Sequence, residues 1–141
     1  MEDTDLARSL LEEDKWNLVI VKKGRVLFGS RERGIAPFFD AVKSIGKGLR
    51  NAAVADRVVG LAVAMLCVHA RVRSVYGDIV SQEAFDMLKK ERVAVDSRNT
   101  VPHISNYDGT DLCPFEKLAG SCQNPSQLLA ALQALFAKGD Q

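Results

Sequence analysis

The side chains able to do chemistry gather at three places, each where polar residues precede an apolar segment. Asp56-Arg57 stands ahead of VVGLAVAMLCVHA, Ser81 and Glu83 stand around the start of AFDMLKK, and Asn106-Tyr107-Asp108-Gly109-Thr110 runs into LCPFEK. A carboxylate such as Asp56 at a helix start either caps backbone N–H groups or holds a ligand hydroxyl or amine. Glu83 carries the same choice, between offsetting a helix dipole and touching a ligand. Cys113 lies just before a predicted helix, where a thiol can become a thiolate and act as nucleophile or redox group. The plainer role for Cys113 is that of a small buried side chain. No histidine is near it in sequence, although His103 could approach it in space. Arg57, Arg31 and Arg33 supply positive charge. The last two sit in GSRERG just before a helix, where free backbone N–H groups favour an anion. That spacing matches no nucleotide-loop motif, so an exposed basic turn is its alternative.

No metal or other cofactor is expected. Cys67, Cys113 and Cys122 form no Cys-x-x-Cys pair, and Cys67-Val68-His69 has no usual zinc spacing. The formal net charge is +1, and the basic residues lack interleaved aromatics, which argues against nucleic acid as partner. No leader or spanning segment is legible, so membrane association is not expected. An odd number of thiols suits a reducing cytoplasm.

These residues need a scaffold, and 141 residues suffice for one domain. A first helix within 1–16 has Leu6, Leu10 and Leu11 on one stripe, capped by Asp3 or Thr4. NLVIV and VLF around KKGR predict an antiparallel hairpin. IAPFFDAVKSI has helical spacing and ends at Gly46 and Gly48. The run Ala55–Ala70 is apolar almost throughout and is read as one buried helix opening at Asp56. SVYGDIV predicts a strand in the middle of the sheet, Ser81 caps a helix, and Val93–Val95 is a short strand, making a parallel βαβ unit. Val101–Ile104 adds another strand. Pro114 starts a short helix with Glu116 in its first turn, and Ser126 caps a final helix within 124–139. The sum is one α/β domain, three layers α/β/α around a mixed sheet, with a core over 17–120. Ligands in such folds collect at the strand C-termini.

The order of elements resembles the cytidine-deaminase-like fold. The chain is similar to a small prokaryotic family of unknown function placed in that fold. The residues carrying this are SRERGIAPFFDAV, ADRVVGLAVAMLCV, VYGDIVSQEAFDMLKK and VPHISNYDGTDLCPFEK, the last with its DGT-x-x-CPFE core. In zinc deaminases the buried helix opens with His/Cys-Ala-Glu and the next with Pro-Cys-x-x-Cys. The corresponding places here are filled by Ala55-Asp56-Arg57 and Ser81-Gln82-Glu83. The resemblance therefore implies the fold and a crevice without the metal ligands.

The expected function is binding of a nucleotide or similar small polar ligand. Asp56 and Ser81 would bond it, Arg57 or Arg31 and Arg33 would hold phosphate, and the Asp108-Gly109-Thr110 loop would close over it. An enzyme using Cys113 and a non-catalytic interaction module are the two alternatives. In the last case the apolar final helix would pair two copies of the chain.

Overall fold

The computed structural model describes residues 2–13, 16–105, 109 and 111–139, with side chains through 137. Helix α1 (Asp3–Glu12) precedes the hairpin strands β1 (Leu18–Lys22) and β2 (Arg25–Ser30). Helix α2 (Ala36–Ile45) runs into a 3-10 turn, Gly46–Leu49. There follow β3 (Ala53–Val59), α3 (Leu61–Ala70), β4 (Ser74–Ser81), α4 (Gln82–Lys90) and β5 (Ala94–Val101), then α5 (Pro114–Ser121) and α6 (Pro125–Gly139). The sheet order is β2-β1-β3-β4-β5. The first two pairings are antiparallel and the last two parallel. Lys23 and Gly24 turn the hairpin with φ of 52° and 73°. Two successive left-handed residues match the twist of the strands they join.

The run Ala55–Ala70 is not one helix. Its first part, through Val59, belongs to β3 at the centre of the sheet, and the helix begins only at Leu61, after Gly60. A parallel strand covered on both faces reads as continuous apolar sequence, as a buried helix does. The β-branched residues Val54, Val58 and Val59 and the glycine behind them are the signal of the break. Asp56 and Arg57 are consequently strand residues that point to opposite faces, not a pair in a helix turn.

Several smaller expectations also change. β3, not β4, is the middle strand, and β5 is one eight-residue strand where two short ones were expected. Asn124, rather than Ser126, caps α6, its side-chain oxygen accepting the Gln127 N–H at 2.9 Å. Asp3 does not cap α1. Its carboxylate accepts the N–H groups of Lys23 and Gly24 in the hairpin turn, both at 2.8 Å.

Two apolar clusters divide the layers. Ala7 and Leu11 of α1 pack on Val19, Val21, Ala55 and Tyr76. On the other face α3 lies among α2, α4, α5 and α6, with Leu66, Phe38, Leu88, Leu128 and Leu132 fully buried. α3 is apolar on every side through Val68 because neighbouring helices and the sheet cover it, and it turns polar at exposed His69 in its last turn. Leu135 of α6 remains 47% exposed beside Phe115 and Leu118. No described helix is long and apolar enough to cross a membrane.

Candidate functional site

The end of β3, the break at Gly60 and the start of α3 form the floor of an open cleft of about 570 Å³. Its walls come from Arg33 to Ile35 ahead of α2, and from Ile104, Ser105 and the start of α5. This is the crevice at the strand C-termini, where a helix N-terminus also arrives.

That N-terminus is already occupied from within the chain. The Glu116 carboxylate accepts the Leu61 N–H at 2.7 Å through Oε1 and the Ala62 N–H at 2.9 Å through Oε2. Two charge-assisted bonds at the positive end of a helix are worth roughly 1–3 kcal/mol. Gly60 makes the approach feasible, since a Cβ there would clash with the Glu116 carboxylate. Glu116 thus serves α3 across the fold as well as standing in the first turn of its own helix. Sequence spacing places it only in the latter position. The glycine opening an apolar helix without a capping side chain was the available hint of the former.

Asp56 borders the same cleft and is 8% exposed. Burial raises its pKa to about 7, against the opposing pull of the Val58 and Arg57 backbone N–H groups and the Arg57 guanidinium. Nearby Asp78 adds to the rise. An ordinary aspartate titrates near 3.9, so this carboxyl exchanges its proton about neutral pH. Buried Cys67 is pushed far up by desolvation, with Asp56 adding to it, so this thiol is packing.

Arg57 is held mainly on the other face. It donates to Asp78 Oδ2 at 2.8 Å and to the Leu11 carbonyl at 2.7 Å, at the end of α1. Tyr76 donates to the second Asp78 oxygen at 3.1 Å. Arg57 also lines the cleft beside Asp56, and its guanidinium ties α1 to the sheet.

The remaining candidates separate. Arg33 and Cys113 border the cleft with Asp56, whereas Arg31 is exposed and does not. Cys113 is half-buried, and its backbone N–H donates to the Ile104 carbonyl at 3.0 Å. Ser81 and Glu83 border a small adjoining recess with His103, on the far side of Ile104 and Glu116. Ser81 Oγ accepts the Ala84 N–H at 3.2 Å, the cap expected of it. His103 borders that recess rather than the one shared by Cys113. Gly109 is exposed with φ 73°, and Asn106, Asp108 and Thr110 lie outside the described residues. Asn17 and Ser105 also line the cleft, and nothing in their local sequence distinguished them. Among the described residues no three His, Cys, Asp or Glu side chains converge as a metal site.

Residues 6–136 match the TM1506 family, described as a domain of unknown function (DUF1893). A crystal structure of a DUF1893 family protein from Thermotoga maritima is similar over 96% of this chain and 93% of its own. Its TM-score is 0.84 at 24% identity, which shows a shared fold. A structure from work on A-to-I editing by tRNA:A34 deaminases overlaps 70% of this chain and 88% of its own. With a TM-score of 0.43 and 21% identity, that likeness to a deaminase fold is faint. No curated protein matches.

Proposed function

For this chain, which belongs to the TM1506 family of unknown function (DUF1893), we propose a small-molecule-binding domain whose cleft takes a nucleotide-like polar ligand. The observation that carries the reading is Asp56, a carboxyl buried at the floor of a ligand-sized cleft with its pKa near 7. Ionised, it costs the fold stability, and a ligand offering N–H or O–H donors would offset that cost. Around it Ile35, Val63, Ile104 and Phe115 supply apolar walls suited to a flat ring. Arg33 at the rim suits an anionic substituent. Glu116 already fills the start of α3, so a phosphate is directed to Arg33 and not to that helix.

A thermal-shift screen over nucleobases, nucleosides, nucleotides and sugar phosphates tests this. A ligand at about 100 times its dissociation constant should stabilise the chain by roughly 2.7 kcal/mol. Asp56→Ala should abolish the shift. A flat screen, or a hit bound equally well by the Asp56→Ala protein, would remove the assignment.

A second reading rests on Cys113, whose half-buried sulfur residue borders the same cleft and could serve as nucleophile toward a bound ligand. It requires that loss of this thiol abolish turnover while leaving ligand affinity intact. Unchanged turnover in Cys113→Ala would dismiss it.

A further inference from the structure

We propose a second site, for a small anion carrying two phosphate groups, at the end of α3 opposite the cleft. Two basic segments meet there. The 3-10 turn after α2 brings Lys47 and Arg50, and the end of α3 brings His69 and Arg71. Together they surround a recess of about 240 Å³ that rests on Val42 and Ala70. α3 has ten residues, so at 1.5 Å rise each the two sites lie about 15 Å apart along it.

Charge is what distinguishes this recess. No carboxylate is among the described residues lining it. Among the described residues none of the four basic side chains makes a hydrogen bond or ion pair, so their charge is not neutralised within the recess. Like charges facing one concavity repel, and a bound anion converts that repulsion into attraction. The negative end of the α3 dipole would oppose an anion. Its last turn is capped, however, by the Arg71 N–H on the Val68 carbonyl at 3.1 Å and the Val72 N–H on the Cys67 carbonyl at 3.3 Å. The cations therefore dominate.

The backbone beneath the recess is held in place, while the four basic side chains are exposed. The Asn51 N–H donates to the Arg71 carbonyl at 3.0 Å, and the Arg73 N–H donates to the Ala52 carbonyl at 2.8 Å. These bonds fasten the two basic segments to each other, so binding must order the side chains but not the backbone. A single phosphomonoester carries a charge of about −2. Three permanent cations with a histidine beside them match a diphosphate or a compact bisphosphate better.

The probe is inorganic pyrophosphate, titrated calorimetrically into the full chain at constant ionic strength. Arg71 has φ 59°, a left-handed conformation that glycine adopts without strain. Arg71→Gly should therefore keep or raise the unfolding midpoint while weakening pyrophosphate about tenfold or more. Arg50→Gln should weaken it similarly. Arg92 closes α4 in the same backbone conformation, φ 63°, away from the recess. Arg92→Gly should leave the affinity unchanged. Absence of pyrophosphate binding by the wild-type chain would overturn the proposal, as would an equal loss in Arg92→Gly. So would binding lost in Arg33→Gln but retained in Arg71→Gly, which would move the anion to the cleft. The proposal does not depend on Asp56, so failure of the cleft reading leaves it standing.

Discussion

Replacing Asp56 by asparagine removes a titrating group from the centre of the sheet while preserving its size and its acceptor oxygen. In the folded chain burial raises this carboxyl to about 7, against about 3.9 in an unfolded chain. A raised carboxyl pKa means that the folded state holds the proton more tightly. Its contribution is greatest below about pH 4 and is lost as pH rises through about 7. At about 1.4 kcal/mol for each factor of ten in proton affinity, the whole difference is on the order of 4 kcal/mol. Between about pH 5 and about pH 8 the wild-type chain should lose roughly 2–3 kcal/mol that the asparagine protein keeps. Arg57 and Asp78 are unchanged in the variant, so their effects cancel to first order in the comparison. Urea unfolding of both proteins at the two pH values reads the difference directly. Parallel stability profiles for the two proteins would refute the reasoning and show that Asp56 is not held neutral by burial. A ligand donating hydrogen bonds to the carboxylate would reverse the trend by lowering its pKa, and its binding near neutral pH should release a proton.

Four further outcomes follow from the local geometry. Glu116→Ala leaves the Leu61 and Ala62 N–H groups without their acceptor and should cost about 1–2 kcal/mol in denaturant unfolding. Gly60→Ala should cost a similar amount, because its new methyl displaces the same carboxylate. No loss in either protein would dismiss Glu116 as the α3 cap. Ser81→Ala removes the α4 cap and should cost about 1 kcal/mol by the same assay; an unchanged midpoint would count against the cap. Finally, a small alkylating reagent near neutral pH should label Cys113 and Cys122 well before Cys67, which is fully buried and whose thiol is pushed far up. Mass spectrometry finding Cys67 modified first would contradict the packing of α3.

The local elements were legible wherever a short-range rule governed them. Lys23-Gly24 between two β-rich runs, Ser81 before an amphipathic stretch and Pro114 at a helix start each act within a few residues, and each appears as expected. The mixed sheet between helical layers followed from the order of those elements. The central run Ala55–Ala70 was misread because burial on all sides erases periodicity, leaving only Gly60 and the β-branched residues to mark the break. One shift of that boundary moved Asp56 from a helix turn to a strand face.

By itself, then, the sequence determined the class of fold, the hairpin turn and the Ser81 cap, and it directed attention to the strand C-termini. The roles of Asp3 and Ser126, and the grouping of Asp56, Arg33 and Cys113 apart from Ser81, were settled only in the folded chain. Tertiary structure decided what those groups are. Asp56 becomes a carboxyl with a pKa near 7 only when β1, β4 and the helices bury it, since desolvation is a property of surroundings brought from distant positions. Glu116 becomes the cap of a helix 55 residues earlier in the chain, and Arg57 becomes the tie between the sheet and α1. Such contacts depend on through-space distance, which residue spacing along the chain does not encode.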